Sequence, residues 1–399
     1  MPKIYAQSHL EPLEETLAIV KRPDKLFIGI ARETTFQERR VPLVPASVAT
    51  LVANGHRVVI ETGAGDPSNH NDREYAEAGA EIAFSKKHVF EAALLLKAAP
   101  PTLEEIELLR PDQIVISPLH LPTIDADYLN RLLEKRVTAL AMEYIKDEAG
   151  SFPIVRILSE LAGTASILTA AELLSKSQGM GVLLGGISGV PPAKVVILGA
   201  GLVAEFATRA ALGLGAEIRV FDDNVYKLMR IQNQVGHQLY TSTINPTYLK
   251  QELLTADVAI GAMHSETGRT PCIVGEDIVM QMKQGAVIVD VSIDQGGCFA
   301  TSEVTTHDKP YFVKHGIVHY CVPNIASKVP RTASTAISNI LTAILLRTDP
   351  TGNIGQLLYR HRGLQHGVYA YKGCLTNDYL GHRFRIKSMD LSLLLASSL

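Results

Sequence analysis

The stretch from Val195 to Asp222, VVILGAGLVAEFATRAALGLGAEIRVFD, constrains the fold of this chain more than any other. A short apolar run, Val195 to Leu198, enters Gly199-Ala200-Gly201, and an Ala-rich segment with apolar residues at helical spacing follows. A second apolar run, Ile218 to Phe221, then ends on Asp222. Strand, glycine turn, helix and strand in this order are the dinucleotide-binding arrangement. Gly199 permits the tight turn, and Gly201 lets a pyrophosphate approach the backbone, where the first amides of the helix hold it. Asp222, about twenty residues beyond the second glycine, can accept bonds from ribose hydroxyls and would repel a 2′-phosphate, which favours NAD over NADP. Ala204 stands where the pattern prefers a third glycine, a position that needs only a small side chain. Taken alone, such a glycine pattern also describes an ordinary tight turn of an α/β protein.

With 399 residues the chain accommodates two domains. A net charge of −3, with no stripe of clustered Lys and Arg, argues against nucleic acid as a partner. The four cysteines, Cys272, Cys298, Cys321 and Cys374, are far apart and form no CxxC pair, so neither a metal site nor a disulfide framework is expected. Reduced thiols point to the cytoplasm. The first 25 residues carry Glu11, Glu14 and Glu15 and are unlike a signal peptide. The longest apolar-looking stretch, Val182 to Ala200, is broken by three glycines and two prolines before the fingerprint, which argues against a membrane span.

Along the chain, residues 1–25 read as an arm with a short helix over Glu11 to Val20. Strand patterns follow at Leu26 to Ile30, Arg57 to Glu61, Leu94 to Lys97 and Gln113 to Pro118, with helices at Pro45 to Ala53 and Glu74 to Ala78. Strands alternating with helices predict a parallel sheet. A helix over Leu158 to Ser177 leads into the fingerprint, and further strands are expected at Val258 to Ala262, Ala286 to Val291 and Ile317 to Cys321. After Val329-Pro330 an apolar helix, Thr332 to Leu346, is expected to return to the first unit. The expected fold class is therefore α/β with two domains: a Rossmann-type NAD-binding domain, 158–330, inserted into a discontinuous α/β substrate domain, 1–157 and 331–399. Chemistry belongs at the carboxyl ends of the strands, in the cleft between the domains.

Four constellations sit at such ends. Glu38-Arg39-Arg40 follows the first strand; arginine meets carboxylates with a two-pronged contact, although a solvated charge cluster reads the same way. His120, in Ser117-Pro118-Leu119-His120-Leu121, is placed to act as a general acid/base or as a structural histidine. Asp294 leaves the apolar strand ending at Val291 and is followed by Gly296-Gly297, which let the backbone turn closely around a ligand. Asn324, in Cys321-Val322-Pro323-Asn324, either reaches a cofactor amide or makes a Pro-Asn turn.

IDQGGCF at 293–299, SPLHL at 117–121, ERRVPLVP at 38–45, LSELAG at 158–163 and GAGLVA at 199–204 together resemble the alanine dehydrogenase family, itself related to the nucleotide-binding subunit of proton-translocating transhydrogenases. The similarity spans roughly 27–380, and His120 favours the soluble dehydrogenase branch. The resemblance implies that Arg40 holds the substrate carboxylate, with His120 the proton donor/acceptor and Asp294 the second acid/base group. It also implies that Ser159 contacts cofactor phosphate, Asp222 and Lys227 the adenosine ribose, and Asn324 the nicotinamide end. Met263-His264 stands where the family usually has an apolar pair against the cofactor.

One family feature is absent. Two lysines at alternate positions of a strand end are expected, the second touching substrate; here Leu96-Lys97-Ala98-Ala99-Pro100-Pro101 puts Lys97 at the first and Ala99 at the second. Side chains two apart share a strand face, so Lys97 is a candidate substitute in substrate binding. The alternatives are a different substrate or weak activity. The activity implied is reversible, NAD-dependent oxidative deamination of a small L-amino acid to a 2-oxo acid and ammonia, with L-alanine first. A related reaction on a larger amino acid or imine, and a weakly catalytic or transhydrogenase-like NAD module, are the alternatives. The resemblance further implies a homo-oligomer, a hexamer, whereas composition, cysteine usage and the broken apolar stretch lead to the expectation of a cytoplasmic protein with no nucleic-acid or membrane partner and no metal.

Overall fold

The computed structural model describes residues 26–121, 124–265, 268–347, 358–359 and 361–397; the helix expected over Glu11 to Val20 and the rest of the arm lie outside them. Two sheets organise the chain. The first holds β1 (Phe27–Ile30), β2 (Arg57–Glu61), β3 (Glu81–Ala83), β4 (Leu94–Leu96), β5 (Ile114–Ser117), β6 (Thr138–Ala141), β14 (Val368–Tyr371) and β15 (Cys374–Leu375), in the order β15-β14-β6-β5-β4-β1-β2-β3. Pairing is parallel from β6 through to β3, and β14 and β15 add antiparallel strands at one edge. The second sheet holds β7 (Lys194–Leu198), β8 (Glu217–Phe221), β9 (Tyr240–Ser242), β10 (Val258–Gly261), β11 (Val287–Asp290), β12 (Tyr311–Lys314) and β13 (Ile317–Tyr320). Its order, β12-β13-β11-β10-β7-β8-β9, reverses direction between β7 and β10. That reversal is the switch point at which a doubly wound sheet opens a crevice for a dinucleotide.

The central strands β4, β10, β11 and β13 are buried along their whole length. Helices cover both faces of such a sheet, so these strands read as continuous apolar runs without alternation. All nine expected strands are present. β3, β9, β12 and β15, which sequence reading misses, are the outermost strands of the two sheets. Edge strands are short and half exposed, and leave little apolar pattern. β6 and β14 were missed as well; the Thr-Ala-Leu-Ala of β6 is buried throughout but has weak strand propensity.

The domains are joined by two helices. Pro153–Ser175 starts earlier than the expected Leu158, because Pro153 fits the first turn of a helix, where its missing N–H costs nothing. Ile154 and Leu158 pack into the core of the first domain, whereas Ala162, Ile167 and Leu174 belong to the core of the second. At Gly163 a Cβ would collide with the carbonyl oxygen of Val203, so glycine is what lets this helix lie against the fingerprint helix Leu202–Gly213. The helix is long and apolar enough to cross a membrane by length and composition, yet its apolar surface is divided between these two cores. Helix Pro330–Leu345 makes the return, placing Ile337, Leu341 and Leu345 in the first core. It also accepts backbone N–H bonds from Val41 to Ser334 Oγ at 2.9 Å and from Val44 to Ser338 Oγ at 3.0 Å. The segment carrying Arg40 is thereby fixed to the crossing between the domains.

Candidate active site

A cavity of about 550 Å³ opens at the switch point, lined by Gly199, Gly201, Asp222, Lys227, Ala262, Met263 and His264 among others. Gly199 has φ +107°, and a Cβ there would run into the carbonyl oxygen of Ala262, so the turn requires glycine. A Cβ at Gly201 would meet nothing within 4 Å, and no side chain caps the helix that starts at Leu202. The first amides of that helix therefore face open space, as an incoming pyrophosphate needs. Asp222 is buried, with Oδ2 accepting the Ala200 N–H at 2.7 Å and Oδ1 the Asn224 N–H at 2.8 Å. Its carboxylate thus braces the glycine turn while lining the cavity where a ribose would lie. The residues fit a dinucleotide. Ser159 is half-buried on the long helix, four residues before the Gly163 contact, and does not line this cavity.

The loop after β10 is tied to the loop after β11. Ser292 Oγ donates to the Met263 carbonyl at 2.9 Å, the Ser265 N–H donates to Gln295 Oε1 at 2.9 Å, and Gln295 Nε2 returns a bond to the Ser265 carbonyl at 3.0 Å. Asp290, at the end of β11, accepts from the Ser292 and Cys298 backbone N–H groups and from Ser302 Oγ, at 3.0, 2.9 and 2.7 Å. This knot sets the position of Asp294. Burial raises the Asp294 carboxyl above the ordinary range, opposed by the Asn324 N–H bond at 2.9 Å and by the charges of His120 and Arg40. His120 and Arg40 come from the first domain and Asp294 from the second, so three of the expected residues meet across the seam.

His120, Gln37 and Asn324 all have left-handed backbone conformations, with φ of 51°, 66° and 53°. Each costs a non-glycine residue on the order of 1 kcal/mol or more, and such strain persists only where surrounding bonds impose it. For His120 the imposing group is Glu143, whose Oε1 accepts the N–H groups of Leu119 at 2.8 Å and His120 at 3.2 Å. Burial raises the pKa of Glu143 despite these bonds.

The alanine dehydrogenase/PNT N-terminal domain matches residues 29–162 and the C-terminal domain of the same name residues 165–378. Alanine dehydrogenase 2 of Staphylococcus aureus (strain USA300) is 36% identical over 370 residues, covering 92% of this chain and 99% of its own. Among solved structures, an L-alanine dehydrogenase superposes with a TM-score of 0.83 at 35% identity, over 90% of this chain and 99% of that one. A transhydrogenase from Sinorhizobium meliloti gives 0.75 at 22% identity over 88% and 99%, a likeness of fold alone. The chain belongs to the alanine dehydrogenase/PNT family. It is an NAD-dependent amino-acid dehydrogenase.

Two details of the dehydrogenase differ from what its sequence suggests. Arg40 is buried, and its fork is already engaged: Nε donates to Glu38 Oε1 at 2.8 Å, and Nη2 to Glu38 Oε2 at 2.6 Å and to the Ala98 carbonyl at 3.4 Å. No hydrogen bond of Nη1 is found among the described residues. Lys97, the candidate substitute for the missing lysine at Ala99, is also engaged. Its ammonium is buried between Glu33 Oε2 at 2.8 Å and Glu105 Oε2 at 3.1 Å, and these two carboxylates outweigh the desolvation of its charge and raise its pKa. Glu33 Oε1 also accepts the N–H groups of Ala98 and Ala99, at 2.6 and 3.3 Å. Lys97 and Glu33 therefore hold the β4 end in shape from behind.

Glu33, Glu38, Glu143 and Ser327 are the parts of the site that sequence reading misses. Glu38 was visible beside Arg40, but nothing in the sequence places it against the second domain. Among the described residues no group of three or more His, Cys, Asp or Glu is arranged to hold a metal ion.

Proposed function

We propose that this dehydrogenase catalyses the reversible oxidative deamination of a small L-amino acid, L-alanine first among them, to the 2-oxo acid and ammonia. What supports this reading is the meeting of Arg40, His120 and Asp294 at the seam beside a dinucleotide cavity. NAD, when bound, supplies the hydride acceptor for the substrate Cα–H. Arg40 takes the substrate carboxylate on Nη1, the edge that Glu38 leaves open. Asp294 holds a water against the iminium carbon, and an imidazole nitrogen of His120 takes a proton from that water as it adds and returns it to the amine; as the carbonyl forms, the remaining hydroxyl proton passes to the Asp294 carboxylate and ammonia departs. Ser292 and Gln295 keep the Asp294 loop in register with Met263 and His264 on the cofactor side, and closure of the domains excludes bulk water.

The second reading, a different or larger amino acid, is favoured by Ala99. A buried methyl group there supplies neither charge nor hydrogen bond, and the Lys97 ammonium is paired with Glu33 and Glu105. Formation of NADH with L-alanine, then with a panel of L-amino acids, separates the two, together with the reverse reaction of pyruvate and ammonia. NADH binding without turnover of any of them would leave only a nucleotide-binding module. In the Ala99→Lys variant, a gain in L-alanine turnover of about tenfold or more is expected, the scale of one added charge-assisted contact. No gain would place the native substrate contact elsewhere.

The dehydrogenase is also proposed to be a cytoplasmic homo-oligomer. The exposed apolar side chains of Leu183, Ile187 and Val190, on the loop before β7, support self-association. Light scattering of the purified protein tests it, and a monomeric mass would overturn it.

A further inference from the structure

Arg40 is assigned to the substrate, yet two of its three guanidinium nitrogens donate to Glu38. Three bonds reach the Glu38 carboxylate from Arg40 itself: its backbone N–H at 2.9 Å, Nε at 2.8 Å and Nη2 at 2.6 Å. Two more arrive from the other side of the seam, from Asn324 Nδ2 to Oε2 at 3.0 Å and from Ser327 Oγ to Oε1 at 3.1 Å. Asn324 Nδ2 also donates to Ser327 Oγ at 2.8 Å, and the Asn324 backbone N–H donates to Asp294 Oδ1 at 2.9 Å. A continuous path therefore runs Arg40, Glu38, Asn324, Asp294, from the substrate anchor in one domain to the acid/base group in the other. The neighbours of Glu38 span the seam as well, through the His307 N–H to Gln37 Oε1 at 2.7 Å and Arg39 to Asp308 at 3.3 Å.

The arrangement has a consequence for how Arg40 meets a ligand. With Nε and Nη2 turned to Glu38 and Ala98, the donors left are those on Nη1, so the substrate carboxylate meets one nitrogen rather than the two-pronged edge. That edge belongs to an internal carboxylate. A buried carboxylate is stable only with its partners in place, and two of its five hydrogen bonds come from the second domain.

We propose that Glu38 is a positioning residue that couples domain closure to the aim of Arg40, turning Nη1 toward the substrate only while Asn324 and Ser327 are seated on it. This rests on the dehydrogenase reading above, and the tests are chosen so that the two fail separately. In Glu38→Gln, kcat for amino-acid oxidation falls at least tenfold while the NADH dissociation constant stays within twofold. Glu38→Asp, which keeps the charge, recovers part of the loss. Ser327→Ala lowers kcat several-fold, and the double variant is no worse than Glu38→Gln alone, because residues acting through one contact are non-additive. Values of kcat and KM within twofold of the native protein in Glu38→Gln, or strictly additive losses in the double variant, overturn the proposal. Should the native protein turn over none of the amino acids tried, the dehydrogenase reading falls. The coupling is then decided by hydrogen exchange at the Asn324 amide: faster exchange in Glu38→Gln supports it, and unchanged exchange overturns it. If Glu38→Gln does not fold, Ser327→Ala decides by the same two measurements.

Discussion

Asp294 shows how a single side chain is tuned by its surroundings. Burial raises its pKa, so the folded protein holds that proton more tightly than the unfolded chain does. The sign of the linkage follows: the group's contribution to stability is fully present below its unfolded pKa, near 4, and is lost as pH rises through its raised folded value. Asp294→Asn removes the titration. Its melting temperature relative to the native protein should therefore climb as pH rises from about 4 toward neutrality, and a difference that stays flat across thermal melts in that range would contradict the assignment. The same variant should lose about 10²-fold or more in kcat, the usual contribution of a positioned acid/base group. His120 could be found from a strand-end pattern alone. The reason it can point into the cleft, a left-handed backbone clasped by Glu143, could not, because Glu143 lies on a different strand end.

Among the elements, the glycine turn between β7 and helix Leu202–Gly213 has the least freedom. Its φ of +107° at Gly199 and the carbonyl of Ala262 immediately beside it leave no room for a side chain. In Gly199→Ala the turn must shift away from β10, disturbing the bond from the Ala200 N–H to Asp222 and the amides that face the pyrophosphate. NADH affinity measured by fluorescence titration should drop at least about tenfold, the effect of losing about 1.4 kcal/mol, and binding within twofold of native would show that the turn accommodates a methyl group. The long helix Pro153–Ser175 shows a different kind of constraint. Its sequence looks like one uniform apolar helix, but Leu158 and Ala162, one turn apart, serve two different cores. Apolar spacing identifies a helix; it does not say which neighbour each face will meet.

At the scale of the whole molecule, hydrogen bonds join segment 37–40 of the first domain to two short segments of the second, 307–308 and 324–327. If those bonds couple the domains, NADH bound to the second should be felt by the first. At a ligand concentration about a hundredfold above its dissociation constant, binding adds about 2.7 kcal/mol to the state that binds it. Hydrogen exchange should then slow not only around β7, β8 and β10 but also at Glu38 to Arg40 and at the carboxyl end of β4; protection confined to residues 194–322 would mean that the domains respond independently. The two parallel sheets, the dinucleotide turn and the residues at strand ends are legible along the chain, because these depend on local periodicity and on backbone conformations that few residues tolerate. The edge strands were not legible, being too short and exposed to leave a pattern, and neither were the partners of the charged groups. Sequence neighbours suggested that Arg40 offers a fork and that Lys97 fills in for a lysine at Ala99. Packing of the folded chain is what gives that fork to Glu38, that lysine to Glu33 and Glu105, and sets Asn324 and Ser327 against Glu38 from the other domain. A buried charge pairs with whichever opposite group the packed chain brings within about 3 Å, and that is a property of three-dimensional proximity, not of spacing along the chain.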